Sequence, residues 1–214
     1  MIKGSSELNK MFMALQRTAS GLRRDFGEVE NLQQSLRGAR DFVAKASARI
    51  EESILSDLLL VRPSAGLLTP NVSREGDGRD EFVLSLSGAS NFVRGNAHFA
   101  ISLALRSNDE TKIALVYSPI DERLYYAEAG AGAYVFSAFH SARIRVSNLK
   151  EPAELTVAYN TSDARPLVGE NTLRTGCPAL DLAWVAAGDL LVREAGGKIE
   201  MMADLVATNG KVEM

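Results

Sequence analysis

Cysteine and histidine are nearly absent from this chain. Cys177 is the only cysteine among 214 residues, and His98 and His140 are the only histidines. One cysteine excludes an intramolecular disulfide and a zinc site built from cysteines. A nucleophilic cysteine would need one of the two histidines as its base. Because His98 precedes a predicted strand and His140 falls in a short polar linker, we interpret all three as ordinary structural or exposed residues.

Long apolar runs and an excess of one charge are also missing. The 24 Lys and Arg residues and 27 Asp and Glu residues are scattered, for a net charge of −3, which leaves no basic footprint for nucleic acid. The apolar stretches are interrupted before the length that a membrane helix needs. Residues 1–7 lead into an amphipathic pattern and not into a signal-peptide core. We therefore expect a cytoplasmic, globular protein without membrane or evident nucleic-acid binding.

The first 150 residues predict two helices followed by a sheet. Apolar residues from Leu8 to Phe26 recur at helical spacing and predict a helix that ends near Gly27, and a second helix is predicted over 44–60. Short apolar or alternating runs then predict five strands, at 82–86, 99–105, 112–117, 123–128 and 133–136. Gly130-Ala131-Gly132 lies between two of these strands, which favours a tight hairpin over a phosphate-binding loop. We expect a meandering antiparallel sheet packed against the helices.

From about residue 151 the pattern changes to alternating strands and helices. Strands are predicted at 155–159, 198–201 and 205–207, and a helix is predicted over 179–195. We therefore divide the chain into an α+β part over 1–150 and a shorter α/β part over 151–214.

The segment from Leu84 to Phe92 is the most informative in the chain. It reads Leu-Ser-Leu-Ser-Gly-Ala-Ser-Asn-Phe. It resembles Asp-Pro-hydrophobe-Asp-Gly-Thr-x-Asn-Phe, the metal-binding signature of the inositol monophosphatase family. In that family the two aspartates bind Mg²⁺, the hydrophobe lends a backbone carbonyl, and Gly-Thr opens a helix whose amides meet the phosphate.

The resemblance preserves the frame of this signature without its carboxylates. Leu84 and Ser87 stand at the two aspartate positions and Leu86 at the hydrophobe. Ala89 stands at the threonine, and the resemblance implies that Gly88, Ala89 and Ser90 are a remnant of the phosphate-binding turn. Mg²⁺ prefers oxygen ligands that include carboxylates, so no metal is expected to bind at these positions.

Two upstream segments show the same loss. Residues 41–47 resemble the family's Asp-Phe-Val-Thr-Lys-Ala-Asp, with Ser47 in place of the final acid. Residues 66–72 resemble a strand end that normally reads Gly-Glu-Glu, with Pro70 and Asn71 at the acidic positions. The resemblance thus implies that no catalytic residue of the family is intact.

A deletion is the largest departure from the family pattern. In the bacterial inositol-1-monophosphatase branch, a helix like that at 179–188 is followed by a strand and by Trp-Asp-x-Ala-Ala-Gly. In this chain Gly188 is joined directly to Asp189, so the Trp-Asp pair is missing. We expect one fused helix over 179–195, although a break with a positive φ at Gly188 is the alternative.

Other acids near the motif do not replace the missing ligands. Asp77, Asp80 and Glu81 lie in a run of mixed charge that reads as a solvated loop before the motif strand.

The resemblance covers nearly the whole chain and implies a layered αβαβα sandwich with a shortened C-terminal layer. It also implies a homodimer and a family cofactor, Mg²⁺, that this chain is not expected to bind. Our leading interpretation is a family member without phosphatase activity that serves as a scaffold or interacts with an unknown protein. One bacterial branch member takes part in ribosomal RNA transcription complexes through protein contacts. The alternatives are a weak Mg²⁺-dependent phosphomonoesterase acting on inositol phosphates, and a decaying gene product without function.

Overall fold

The computed structural model describes residues 2–29, 31, 36–145, 156–159, 171–185, 198–201 and 205–208. Its helices are α1 (Ser6–Val29), α2 (Leu36–Val61), α3 (Ala89–Val93) and α4 (Pro178–Val185). Its first eight strands are β1 (Gly66–Leu68), β2 (Ser73–Arg74), β3 (Asp80–Ser87), β4 (Ala100–Ser107), β5 (Glu110–Ser118), β6 (Arg123–Glu128), β7 (Gly132–Ser137) and β8 (His140–Ile144). The remaining strands are β9 (Thr156–Tyr159), β10 (Asn171–Leu173), β11 (Lys198–Met201) and β12 (Leu205–Thr208).

The two long N-terminal helices confirm the predicted helical pair, with one boundary corrected. The Ser5 hydroxyl caps α1 by accepting a 3.2 Å hydrogen bond from the backbone N–H of Leu8. Helix α2 begins eight residues before the predicted start at residue 44. Its buried stripe already includes Ala39 and Val43, and these small side chains gave a weaker periodic signal than the Ile and Leu residues that follow.

The five predicted strands are confirmed within an eight-stranded sheet of order β2-β1-β3-β4-β5-β6-β7-β8. Its pairs are antiparallel except for β1 and β3, which run parallel. The predicted hairpin at residues 130–132 joins β6 to β7. The placement of His140 in a linker was wrong, because His140 begins β8 and lies opposite Ser137 in the register.

The described elements stack in layers. One core lies between the helices α1 and α2 and one face of the large sheet. A second core lies on the opposite face, where Leu180 and Leu182 of α4 pack against Val116 and Tyr125. A second sheet of order β10-β9-β12-β11 follows, and its strand β9 contacts α4. These layers confirm the predicted α/β sandwich class.

Two predictions about the C-terminal part have no structural outcome. Helix α4 reaches Val185. Gly188 and the fused helix predicted beyond it lie outside the described residues. The division of the chain at residue 150 also stays a prediction. Within the part of the chain that the structure describes, no helix has both the length and the apolar character needed to cross a membrane.

Candidate functional site

Strand β3 sends the two aspartate-equivalent side chains to opposite faces of the sheet, as residues three apart on a strand must point. Leu84 is 1% exposed and belongs to the core beneath α1 and α2. The Ser87 hydroxyl turns toward α4 and accepts a 3.1 Å hydrogen bond from the backbone N–H of Ala179. Both positions therefore have structural partners in this chain.

The turn after β3 approaches the backbone of the next segment closely. Gly88 has φ +81°, and a Cβ placed there would lie 2.9 Å from the carbonyl oxygen of His98. Asn91, which is buried, donates 2.8 and 3.0 Å hydrogen bonds from Nδ2 to the carbonyl oxygens of His98 and Thr175. The motif's glycine and asparagine thus fasten this turn to the segment that leads into α4.

A cavity of about 460 Å³ lies where α2, the β1–β2 connection, the end of β3 and α3 meet. Its apolar lining consists of Val43, Ala44, Pro70, Leu86, Ala89 and Val93. Its polar and charged lining consists of Ser47, Asn71, Ser90, Arg40 and Arg94. The structure therefore brings six predicted site residues together here: Ser47, Pro70, Asn71, Leu86, Ala89 and Ser90. Leu84, Ser87 and Gly88 do not line this cavity.

A buried carboxylate that we did not predict lies beside the cavity. Glu51 is 2% exposed and sits one helical turn after Ser47 on α2. Its Oε1 accepts hydrogen bonds from the Ser47 hydroxyl at 3.1 Å and from Nδ2 of Asn71 at 2.7 Å. Its Oε2 accepts from the backbone N–H of Asn71 at 3.2 Å and from the Thr69 hydroxyl. Glu51 thus ties the β1–β2 connection to α2, with both oxygens occupied by donors.

The residues around this cavity do not fit a magnesium ion. Mg²⁺ binds oxygen ligands in octahedral geometry and is usually held by one or two carboxylates. The lining residues that the structure describes include no carboxylate, and they carry the positive charges of Arg40 and Arg94. Among the described residues, no group of three or more His, Cys, Asp or Glu side chains is arranged to hold a metal ion.

The acids before the motif strand are organised differently from the predicted solvated loop. Asp77 does lie in an exposed loop. Asp80 and Glu81 instead begin β3, where Asp80 accepts a 2.9 Å hydrogen bond from Arg62 and Glu81 pairs with Arg106 at 3.2 Å. The loop interpretation was wrong for these two residues because each has an arginine partner on a neighbouring element. None of the three lines the cavity.

Cys177 lies on the α4 side of β3, away from the cavity. Its thiol is buried, with Sγ 3.5 Å from both the carbonyl and the hydroxyl oxygen of Ser87. Burial raises the pKa of this thiol. A low pKa and an adjacent base mark a nucleophilic cysteine, and the Cys177 environment has the opposite effect.

His98 lies between α4 and the turn after β3. Its Nε2 is 3.8 Å from Oδ1 of Asp181 and has no hydrogen-bond partner in the described structure. Its ring meets the Trp184 ring edge to face at 5.0 Å. The Asp181 carboxylate accepts hydrogen bonds from both the backbone N–H and the hydroxyl of Thr175. Asp181, in the first turn of α4, therefore holds Thr175 of the segment that precedes the helix, and the His98 ring packs beside this carboxylate.

Comparisons with a family model and with individual relatives point to the same family. The model of the inositol monophosphatase family matches residues 5–189, so the match ends at the predicted join between Gly188 and Asp189. The chain is 34% identical to an inositol-1-monophosphatase of Rhizobium meliloti, over 90% of this chain and 84% of that protein. That alignment spans 232 positions and is longer than the 214-residue chain, as an internal deletion requires.

Two further comparisons concern proteins called SuhB. The chain is 30% identical to the Nus factor SuhB of Xylella fastidiosa, over 90% of this chain and 80% of that protein. It also resembles the crystal structure of the extragenic suppressor protein suhB from Bartonella henselae, with a TM-score of 0.79 and 27% identity. That similarity covers 97% of this chain and 95% of the other.

Proposed function

Because this chain belongs to the inositol monophosphatase family, we propose that it keeps the family's fold and cavity but has lost magnesium-dependent phosphatase turnover. The cavity lining carries the proposal. Residues resembling the family's catalytic positions line the cavity together, yet none of them is acidic. A metal-dependent phosphatase needs a cation that generates hydroxide and neutralises charge on the phosphoryl group. The described part of the lining offers no group that would hold that cation.

Glu51 does not replace the lost ligands in this proposal. Its two oxygens accept four hydrogen bonds, from two hydroxyl groups and from two N–H groups of Asn71. A magnesium ion would have to displace several of these donors. The described cavity lining would then still carry the positive charges of Arg40 and Arg94 and no carboxylate.

We further propose that the protein acts through binding. Relatives named Nus factor SuhB give a precedent for a family member that is named as a factor and not as a phosphatase. A homodimer, as the family resemblance implies, and a cytoplasmic location, as expected from the sequence, belong to this proposal, as does the remnant turn at residues 88–90. Ala89 and Ser90 support the last point because both line the cavity.

The alternative is weak phosphomonoesterase activity on inositol phosphates. The 34% identity to a protein named inositol-1-monophosphatase favours it. Phosphate release from myo-inositol 1-phosphate, measured at 0 and 10 mM Mg²⁺ beside the Rhizobium meliloti protein as positive control, separates the two. We expect release at the level of a no-enzyme blank and no saturable Mg²⁺ heat in calorimetry. Magnesium-dependent release that Ser47→Ala abolishes would refute the proposal.

Restoring acids at the substituted positions also tests whether the deletion at Gly188 removes a catalytic acid. The combined variant Ser47→Asp, Pro70→Glu, Leu84→Asp and Ser87→Asp restores an acid at four of the five substituted acidic positions and leaves Asn71 unchanged. We still expect it to fall short of the Rhizobium meliloti protein, because the acid of the deleted Trp-Asp pair is missing. Recovery to the rate of that relative would show that the join at Gly188 removes no catalytic residue.

A further inference from the structure

We propose that the cavity is a metal-independent binding site for a small organic phosphomonoester with an apolar body, whose phosphate is held by Arg40 and Arg94. The inference rests on the proposed function, since it assigns the site to a ligand that is bound and not hydrolysed. It also departs from the highly hydroxylated substrates named in the family. The charge, the available donors and the apolar walls of the cavity support this assignment.

The charge of the cavity wall favours a ligand that carries two negative charges. Arg40 and Arg94 are the only charged residues in the lining, so the described wall carries two positive charges and no negative charge. A phosphate monoester carries about −1.5 to −2 charges at pH 7, with a second pKa near 6. A carboxylate would leave one arginine without a counter-charge. The same two arginines would repel the divalent cation that the family uses.

Both arginines have donors to offer. Arg40 is exposed and makes no hydrogen bond or ion pair with the described residues. Arg94 donates from one Nη to the carbonyl oxygen of Ser90 at 3.1 Å. A guanidinium has five N–H donors in a planar fork that matches phosphate oxygens, so most of the Arg94 donors remain available. Holding Arg94 against Ser90 also positions its guanidinium at the cavity.

The apolar walls of the cavity favour a ligand whose non-phosphate part is apolar. More than half of the lining residues are apolar, and they include Val43, Pro70, Leu86 and Val93. The Ser47 hydroxyl already donates its hydrogen to Glu51. Against these apolar walls the hydroxyl groups of a polyol would find no partners, which opposes binding, whereas a ring without hydroxyls would bury apolar surface. A volume of about 460 Å³ is within the usual range for small-molecule pockets.

The test is calorimetric titration of the whole chain in EDTA at pH 7.5 and low salt. The probes are phenyl phosphate, myo-inositol 1-phosphate and benzoate. We expect phenyl phosphate to bind at least tenfold more tightly than either of the others. Because charge-assisted hydrogen bonds are strong, Arg40→Gln and Arg94→Gln should each weaken its binding about tenfold. Arg79→Gln is the matched control, because Arg79 is exposed and lies outside the cavity lining.

Several results would overturn the inference. They are no saturable binding of phenyl phosphate, equal binding of benzoate, tighter binding of myo-inositol 1-phosphate, or equal effects of Arg79→Gln and Arg40→Gln. Binding should also weaken as the pH falls from 7.5 to 5, because the ester then becomes a monoanion. Adding Mg²⁺ afterwards tests the proposed function separately. Phosphate release at that step would refute the loss of turnover, and the EDTA titration would still decide the binding site.

Discussion

Gly88 offers a sharp test of how the motif turn is held, because Gly130 provides a matched control. Gly88 has φ +81° and Gly130 has φ +78°, so alanine experiences the same left-handed backbone at both positions. This conformation costs an L-residue about 1–2 kcal/mol. The loss of unfolded-state entropy that accompanies Gly→Ala is also shared. The two substitutions differ only in what the new methyl group meets.

At Gly130 an added Cβ meets no atom within 4 Å, whereas at Gly88 it lies 2.9 Å from the His98 carbonyl oxygen. It also lies 3.0 Å from Cβ of Cys177 and 3.1 Å from Cα of Phe99. Two of these three atoms are backbone, so the methyl cannot be relieved by a change of rotamer. Overpacking of this kind typically costs about 1–3 kcal/mol. We expect Gly88→Ala to reduce the free energy of unfolding by that amount more than Gly130→Ala does.

The measurement is urea denaturation of the two variants and the unchanged protein, supported by thermal melts. For a chain of this size the extra loss corresponds to roughly 2–12 °C in melting temperature. Equal losses for Gly88→Ala and Gly130→Ala would refute the reasoning. In that case the turn after β3 would be free to move away from His98 and Cys177, and the glycine would serve backbone conformation alone.

Two more predictions follow from buried groups. Glu51→Ala should lower the free energy of unfolding by roughly 2–4 kcal/mol, because hydrogen bonds to a charged acceptor contribute about 1.5–3 kcal/mol each and the exposed Asn71 recovers part of that loss from water. Glu52→Ala is the control, because Glu52 is the exposed neighbour, and it should change the free energy of unfolding by less than about 0.5 kcal/mol. Equal losses for Glu51→Ala and Glu52→Ala in chemical denaturation would contradict a structural role for Glu51. Burial raises the pKa of the Cys177 thiol, so the unfolded chain loses that proton first and stability should fall as the pH rises above the ordinary thiol pKa of about 8.5. Urea titrations between pH 7 and 10 should show a shallower decline for Cys177→Ala than for the unchanged protein, and parallel curves would show that Cys177 contributes nothing to the pH dependence.

Much of the N-terminal fold could be predicted because its elements carry strong periodic signals. The stripe from Leu8 to Leu22 has helical spacing, and the runs at β4 to β7 are bounded by turn residues. Short elements were missed, as β1, β2, β8 and β10 contain only two to five residues each. Such segments have too few residues for a period to be recognised, and only pairing with a neighbouring strand defines them.

The composition of the cavity could be predicted only in part. Resemblance to the family signature located six of its lining residues, because the signature fixes positions along the chain. Arg40, Arg94 and Glu51 were missed, since none of them stands at a position where the signature specifies a residue. Glu51 lies four residues after Ser47, and this spacing on one helix face was the signal that could have identified it. The arginines become meaningful only when α2 and α3 are seen to meet across the cavity.

The residues at the positions that resemble the family's aspartates have a common physical property in this chain. Acids clustered for a metal repel one another when the metal is absent, and their protonation or repulsion opposes folding. In this chain Leu84 is fully buried in the core, where an apolar side chain of its size contributes about 1.5–3 kcal/mol. Ser87 binds the start of α4 through the N–H of Ala179, and Glu51 fixes the β1–β2 connection through neutral donors. The described contacts of these side chains are all within the protein itself. Arg40 and Arg94 are the charges of the described lining that a ligand would meet.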